Sequence, residues 1–390
     1  MISQDATLRM ICRLLSGVAP EKPAATDPPA TDGSVLIEQL HYHQVAGLAY
    51  HFRRELAAVG LPLTEATEDY LKRYTLLNVS RIMAYEHFLK QWNKHLRSLG
   101  IAYCLFKGIV TAKAVYPKDY LRSFGDLDIL IRAEDYPQIE ELLNAEGFVA
   151  AEDLYRLFPD DIIKKYAFAR HFNRPQPLNI AIDLHLALSS RLHPFQFNVE
   201  DFWNHCQPFR LDGQELQTFA PEYQAVYALY HAFKHYFFKL IWFIDAFMLM
   251  DQPGLNRDRF QHLIVNNRLH RLARHFAGIS QTLFGRLPRA LTDYAGNGAK
   301  EHRRINSRII LQGCLPLSPS RARLLLPMYY LEGWSRRLTY LWRQLFPPME
   351  TVKHFYLTEQ GGPTRVTYLK LRCRAISDLI FDQTEEEAPN

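Results

Sequence analysis

The sequence predicts an α/β (α+β) core with a small mixed β-sheet, flanked by mostly helical N- and C-terminal regions. Two segments, 126–131 and 179–186, alternate apolar with polar residues, which is the period-two pattern of β-strands. Residues 35–57, residues 64–98 and the chain from Pro221 onwards are predicted to be helical, and the last two carry apolar residues at helical spacing. Strands confined to the middle of the chain therefore indicate one α/β unit between two helical regions.

The same patterns divide the chain into three predicted domains. Residues 1–98 form an N-terminal helical region that contains a flexible linker at 19–34, where proline, alanine, aspartate and threonine dominate. Residues 99–220 contain the predicted strands and form the catalytic core. Residues 221–390 form a C-terminal helical domain.

The composition is that of a folded protein with free thiols. Its 390 residues are 48% hydrophobic, which is enough for a sizeable core. The five cysteines stand singly, so neither a zinc knuckle nor a disulfide framework is indicated. No uncharged run reaches the ~18 residues of a transmembrane helix, and a cytoplasmic location is expected. The net charge of +5 suits an anionic substrate such as a nucleotide but does not by itself indicate nucleic acid.

Two carboxylates, Asp126 and Asp128, lie two residues apart inside an apolar run. Alternate residues of a strand point to the same face, so these side chains are expected side by side. Aligned carboxylates repel each other unless a cation lies between them, and Mg²⁺ or Mn²⁺ are hard cations that carboxylates prefer. Asp183 supplies a third carboxylate on the second alternating segment. The alternative is a turn at Gly125-Asp126 with Asp128 on a solvated strand face.

This arrangement resembles the nucleotidyltransferase superfamily of the DNA polymerase β type. The likeness to its uncharacterised branch, nucleotidyltransferase type 5, rests on five motifs: Lys107-Gly108, Tyr116-Pro117, Arg122, Asp126-Leu127-Asp128 and Ile182-Asp183-Leu184-His185. The resemblance implies that Asp126 and Asp128 hold two Mg²⁺ (or Mn²⁺) ions and, through them, an NTP. It implies that Asp183 binds the ion nearer the acceptor and serves as general base or positions the base.

Lys107 and Gly108 form the predicted phosphate-binding element, at the end of a further predicted strand over residues 101–106. Glycine lets the backbone approach a phosphate closely, and the following helix presents free N–H groups to an anion. Related nucleotidyltransferases usually have Gly-Ser or Gly-Gly here. The hydroxyl that commonly contacts the β- and γ-phosphates is thus absent, and Lys107 is expected to supply the charge. Arg122 is the second predicted phosphate ligand, with a loop salt bridge to Asp119 as the alternative.

Three further residues are weaker candidates for substrate contact. His185 is predicted on the face of Asp183, where it either supports the metal ligands or is a structural histidine. His235 and Asp245 lie on predicted helices that form either a wall of the active-site cleft or a half-buried polar stripe. The pair His231 and His235 has zinc-ligand spacing, but no glutamate follows the first histidine, so zinc is not expected.

The expected activity is transfer of an NMP unit from an NTP, with ATP as the expected donor, to a small-molecule or peptide acceptor, releasing pyrophosphate. AMPylation of a partner protein and a non-catalytic nucleotide-binding scaffold are the alternatives. The resemblance also implies a bacterial protein of peptide or polysaccharide biosynthesis. The C-terminal third interleaves arginines with aromatic residues, which suits a solvated helix face, a membrane surface or nucleic acid. The first of these is favoured, so nucleic acid is not an expected partner.

Overall fold

The computed structural model describes residues 4–19, 33–151, 169–176, 179–190, 193–295, 310–311, 319–347, 369–370 and 372–373. Residues 20–32, which make up most of the predicted linker 19–34, lie outside these ranges. The acidic C-terminal end of the chain, residues 374–390, also lies outside them.

The helices that precede the sheet in the described residues are Gln4–Leu15 (α1), Gly33–Tyr42 (α2), Ala46–His51 (α3), Arg53–Ala58 (α4) and Glu65–Ser98 (α5). The sequence predicts helix over 35–57, and the structure divides this segment into three short helices. One division lies at Gln44, whose φ of 59° is left-handed and cannot continue a right-handed helix. Thr64 caps α5, because its Oγ1 accepts a hydrogen bond of 3.2 Å from the N–H of Thr67.

The strands of the described residues form one mixed sheet of seven, in the spatial order β3-β4-β5-β2-β1-β7-β6. They are Tyr103–Phe106 (β1), Leu127–Ile131 (β2), Val149–Ala150 (β3), Ala169–Arg174 (β4), Ile180–His185 (β5), Cys206–Leu211 (β6) and Gln214–Phe219 (β7). The pairs β2–β5 and β1–β7 are parallel and the other pairs are antiparallel. The predicted fold class, a mixed sheet flanked by helices, is thus confirmed.

The hairpin of β6 and β7 was missed by the sequence analysis. Asp212 and Gly213 form its two-residue turn, with φ values of 45° and 72°. An Asp-Gly pair between two possible strands is a strong hairpin signal, because both turn positions need positive φ. The hairpin places Thr218 opposite Leu105, and the Thr218 hydroxyl donates a hydrogen bond of 2.7 Å to the Leu105 carbonyl. The sheet therefore extends two strands beyond β1.

Successive side chains of β2 pack alternately into two different hydrophobic cores. Leu127 and Ile129 join the cluster beneath α5, which includes Trp92. Leu130 belongs to the larger cluster on the other face, and period two places Asp128 on that same side. Asp128 thus projects towards the helices that follow the sheet.

The remaining helices connect strands or cover this second face. They are Gly108–Val115 (α6), Tyr136–Ala145 (α7), Val199–Trp203 (α8), Pro221–Lys234 (α9), Leu240–Met250 (α10), Arg257–Asn266 (α11), His270–Phe284 (α12), Pro319–Tyr330 (α13) and Trp334–Leu345 (α14). The larger core joins residues of α1–α3 to residues of α9–α13, so the two helical regions pack together. The boundaries at 98 and 220 stay predictions. Among the helices that the structure describes, none has both the length and the apolarity needed to cross a membrane.

Candidate active site

Strand pairing brings two of the predicted carboxylates together. In the parallel pair of β2 and β5, Asp128 lies opposite Asp183, and Leu130 lies opposite His185. Paired residues of neighbouring strands point to the same face, and so do residues two apart along β5. Ligand atoms of Asp128, Asp183 and His185 consequently lie within 4.8 Å of one another. Among the described residues this is the group whose donors could hold a metal ion.

Two cationic or polar groups contact the buried carboxylate of Asp128. The Lys107 ammonium forms an ion pair with it, and His185 Nε2–H donates to its Oδ1 at 2.8 Å. Burial alone would raise the pKa of Asp128, but Lys107 and His185 together lower this pKa to about 2. Burial lowers the pKa of His185 itself. The carboxylate is therefore ionised near neutral pH, as a metal ligand must be.

Asp126 precedes β2 instead of lying within it, and it is not one of the three clustered donors. Burial and the charges of Asp128 and Asp183 raise its pKa to about 7. Like charges raise a carboxyl pKa because they disfavour its ionised form. Asp126 thus lies within electrostatic reach of the cluster, and a bound cation would favour its ionisation.

Tyr85 of α5 supports the chain around this group, a role that the sequence analysis did not identify. Its hydroxyl donates to the carbonyl of Gly125 at 2.6 Å and accepts from the N–H of Ala181 at 3.3 Å. One side chain therefore connects the loop that carries Asp126 to the strand that carries Asp183. Burial raises the pKa of Tyr85 to about 12, so it remains a neutral donor.

His171 is a second contact that the sequence analysis missed. It lies opposite Asp183 in the antiparallel pair of β4 and β5, and its Nδ1 lies 2.5 Å from Asp183 Oδ1. Asp183 and His171 are both accessible to solvent, with 16% and 52% of their side chains exposed. A partly exposed carboxylate beside an imidazole can accept a proton from an incoming group. The histidine lies at a polar position of a predicted strand edge, which by itself is a weak signal.

Lys107 and Gly108 join β1 to α6 in an unusual backbone conformation. Lys107 has a φ of 57° and Gly108 a φ of 24°. A Cβ at Gly108 would lie 3.3 Å from the carbonyl oxygen of Asp126, so the loop before β2 approaches this glycine closely. The Lys107 ammonium lies 5.2 Å from the ring of Phe106 and 5.8 Å from that of Tyr227. The lysine is therefore held beside the carboxylates at the N-terminus of α6.

Arg122 and Asp245 lie together, and neither belongs to the donor cluster. Arg122 Nη2 donates to Asp245 Oδ2 at 2.6 Å, and the Tyr116 hydroxyl donates to Asp245 Oδ1 at 2.7 Å. The alternative partner of Arg122 named from the sequence, Asp119, pairs with Lys113 instead. The predicted roles of Arg122 and Asp245 in substrate binding are thus not supported by a direct contact with the cluster.

The C-terminal end of α9 adds positive charge near the acidic residues. Burial and Lys107 lower the pKa of Lys234 to about 8, while Asp128 and Asp183 raise it. His235 lies beside Lys234, with its ring 4.4 Å from that of Trp242. Burial and Lys234 lower the pKa of His235 to about 3, so this histidine is neutral. Lys234 shares the predicted helix face with His231 and His235, and the charges of Asp128 and Asp183 act on it.

The donor set fits a divalent cation. Two carboxylates and one imidazole can bind Mn²⁺, and carboxylates are the ligands that Mg²⁺ accepts most readily. Asp126 would add a third carboxylate next to this group. Lys107 and Lys234 bring positive charge to the same region, which suits a ligand carrying several negative charges, such as a triphosphate.

Comparison with known proteins finds a family and a solved structure that are similar to this chain. The sequence profile of a family described as uncharacterised nucleotidyltransferase matches residues 29–285, well over half of the chain. The chain is also similar to the crystal structure of an antigenic nucleotidyltransferase-like protein from Paracoccidioides brasiliensis, with 13% identity and a TM-score of 0.30. That match covers 48% of this chain and 89% of the other. No curated protein matches the chain. The resemblance seen in the motifs is confirmed by the profile, and the chain belongs to the family of uncharacterised nucleotidyltransferases.

Proposed function

We propose that the protein is a metal-dependent nucleotidyltransferase that moves an NMP unit from an NTP to an acceptor and releases pyrophosphate. The observation that carries the proposal is the pairing of Asp128 with Asp183 across parallel strands, next to Lys107. ATP as the donor, a small molecule or peptide as the acceptor, and a biosynthetic role in a bacterial cytoplasm belong to the same proposal. They rest on the resemblance alone.

In this proposal the three carboxylates Asp126, Asp128 and Asp183 hold Mg²⁺ or Mn²⁺. When bound there, such a cation would neutralise charge on the triphosphate and make the α-phosphorus more electrophilic. Lys107 binds a phosphate oxygen, and Gly108 lets the backbone at the start of α6 approach the same phosphate. Most of the rate enhancement then comes from positioning and from fixed charges.

Asp183 accepts the proton of the attacking group. An acceptor oxygen forms a bond to the α-phosphorus, the bond to the bridging oxygen of pyrophosphate breaks, and the acceptor proton moves to the Asp183 carboxylate. The contact from His171 to Asp183 Oδ1 orients this carboxylate towards the acceptor. Exposure of this carboxylate, in contrast to the buried Asp128, suits the residue that meets an incoming substrate.

Calorimetric titration of the four NTPs, with and without Mn²⁺, tests the proposal. We expect metal-dependent binding of at least one NTP. The variant Asp128→Asn should weaken it by at least about tenfold, since even outer-shell partners of a metal are worth roughly 10- to 100-fold in affinity. Asp212→Asn is the matched control, because it also removes one carboxylate and Asn-Gly keeps the hairpin turn.

Two results would contradict the proposal. If no NTP binds, the protein has no nucleotide site of the proposed kind. If Asp128→Asn and Asp212→Asn weaken binding equally, the nucleotide binds away from Asp128. Release of pyrophosphate in the presence of acceptors then separates an enzyme from a nucleotide-binding scaffold. A mass gain of one nucleotide unit on a partner protein would identify AMPylation.

A further inference from the structure

A cavity of about 230 Å³ lies between the segment that follows β5 and one face of α14. Its polar lining consists of two arginines, a histidine and three uncharged polar side chains: Arg336, Arg343, His193, Ser335, Thr339 and Gln196. Since a water molecule in the liquid occupies about 30 Å³, the cavity has room for a phosphate ester. It is distinct from the donor cluster, none of whose residues line it.

The charge of this cavity has one sign. None of the described residues that line it is an aspartate or a glutamate. Arg336 Nη2 donates to the carbonyl of Pro194 at 3.3 Å, and among the described residues its buried Nη1 has no hydrogen-bond partner. Burial and the nearby Arg268 lower the pKa of Arg336, while Glu332 raises it. The carboxylate of Glu332, which acts on Arg336, does not line the cavity.

Two guanidinium groups with adjacent hydroxyls are the donor set that proteins use for phosphate. Arginine presents a planar fork of N–H donors that matches the oxygens of a phosphate, and these charge-assisted bonds are stronger than neutral ones. Ser335, Arg336, Thr339 and Arg343 lie on one face of α14, because their spacing follows the helical repeat. An oxyanion in the cavity could therefore contact several of these donors at once.

A short chain of ring contacts connects the cavity to the donor cluster. The His193 ring lies 4.9 Å from that of Tyr230, which lies 5.7 Å from that of Tyr227. The Tyr227 ring lies 5.8 Å from the Lys107 ammonium, which pairs with Asp128. A ligand in the cavity would thus be connected to the donor cluster through Tyr230, Tyr227 and Lys107, and it would lie apart from the reacting atoms.

We propose that the cavity binds a phosphate-class oxyanion, and that this phosphate is part of the acceptor. The second half rests on the proposed function, whereas the first half does not. The phosphate held by Arg336 and Arg343 is not the attacking group, because Tyr227 and Tyr230 separate it from Asp128. The acceptor is then a phosphorylated molecule that presents a different group to Asp183.

Calorimetry without metal tests the binding half. Glucose 6-phosphate, inorganic phosphate and glucose are titrated into the full chain in a buffer with chelator, and the Arg343→Gln variant shows how much of the binding belongs to the cavity. We expect glucose 6-phosphate to bind and glucose not to bind. Arg343→Gln should weaken the ester by roughly tenfold, as expected for one charge-assisted hydrogen bond.

Arg337→Gln is the matched control, because it removes the same charge from the same helix. The Arg337 guanidinium lies over the ring of Trp334, and the residue does not line the cavity. Equal weakening by Arg337→Gln and Arg343→Gln would show general charge attraction and overturn the proposal. Absence of ester binding would also overturn it. Arg343 has no ion pair within the described residues, so its replacement is not expected to unfold the chain, which a melting curve checks.

The source of the phosphate is decided by two further comparisons. Inorganic phosphate that binds as tightly as the ester would identify a site for the free anion and overturn the assignment to the acceptor. In pyrophosphate-release assays, Arg343→Gln should raise KM for the acceptor by roughly tenfold and leave KM for the NTP unchanged. If no acceptor supports turnover, the proposed function fails, while the metal-free titration still decides whether the cavity binds phosphate.

Discussion

The buried pair of Arg122 and Asp245 offers a sharp test of how this fold is held together. The two residues are 123 positions apart, and they connect the loop before β2 to α10. The variant Asp245→Asn keeps the shape of the side chain but leaves the Arg122 guanidinium without its counter-charge. Only 8% of the Arg122 side chain and 9% of the Asp245 side chain are exposed, so water cannot replace the lost partner.

The magnitude follows from the contacts that the substitution removes. Arg122 donates to both Asp245 oxygens, at 2.6 Å from Nη2 and at 3.2 and 3.3 Å from Nε. The Tyr116 hydroxyl donates to the same carboxylate at 2.7 Å. Removing one partner of a buried ion pair costs about 3–5 kcal/mol of the free energy of unfolding. With an unfolding entropy of about 2.1 cal/mol/K per residue over 390 residues, the melting temperature should fall by about 4–6 °C.

Thermal and urea unfolding, followed by tryptophan fluorescence, measure this loss. Asp293→Asn is the matched control, because Asp293 pairs with Arg257 where 43% of the arginine and 64% of the aspartate side chain are exposed. Exposed pairs are worth about 0–1 kcal/mol. The variant Arg122→Met with Asp245→Leu removes both charges and should be more stable than Asp245→Asn alone. If Asp245→Asn and Asp293→Asn lower the free energy of unfolding by the same amount, burial does not determine how strongly these ion pairs stabilise the fold.

Three single substitutions test further features of the structure. Burial lowers the pKa of His43 from 6.5 to about 4, so its contribution to stability is present above pH 6.5 and is lost as pH falls towards 4. Urea unfolding between those pH values should show a loss that is larger, by up to about 3 kcal/mol, in the parent protein than in His43→Gln; an equal loss in both would refute it. Gly108→Ala places a Cβ 3.3 Å from the Asp126 carbonyl oxygen at positive φ, so the melting temperature and the NTP affinity should both fall. An unchanged affinity would show that Gly108 does not contact the nucleotide. Tyr85→Phe removes the hydrogen bond to Gly125 and should cost about 1 kcal/mol with weaker Mn²⁺ binding by calorimetry, whereas loss of stability alone would limit Tyr85 to a structural role.

The motifs found in the sequence were sufficient for the family and the fold class. Alternation along 126–131 and 179–186 predicted the strands that became β2 and β5, and the family profile confirmed the resemblance. The hairpin of β6 and β7 was missed although its Asp212-Gly213 turn is visible in the sequence. The expected helix over 35–57 was divided because a left-handed residue, Gln44, leaves no mark in apolar spacing.

The candidate site was only partly readable from the sequence. Asp128, Asp183 and Lys107 were named in advance, and the structure brings them together. Arg122 and Asp245 were also named as substrate ligands; the structure pairs them with each other, and their roles towards a substrate stay predictions. A sequence shows that a charged residue lies near a motif along the chain, and it does not show which partner a distant helix will supply.

What the sequence determined by itself is the face on which each strand residue lies, because that depends only on the period of two along one strand. This local rule places the side chain of Asp128 on the strand face opposite to that of Leu127 and Ile129, and the side chain of Asp183 on the face opposite to that of Ile182. Only the tertiary structure decided which strands are neighbours, because strand pairing depends on contacts between segments far apart in the chain. It therefore placed Asp128 beside Asp183, His171 against Asp183, and the arginines of α14 around a cavity that no local pattern predicts.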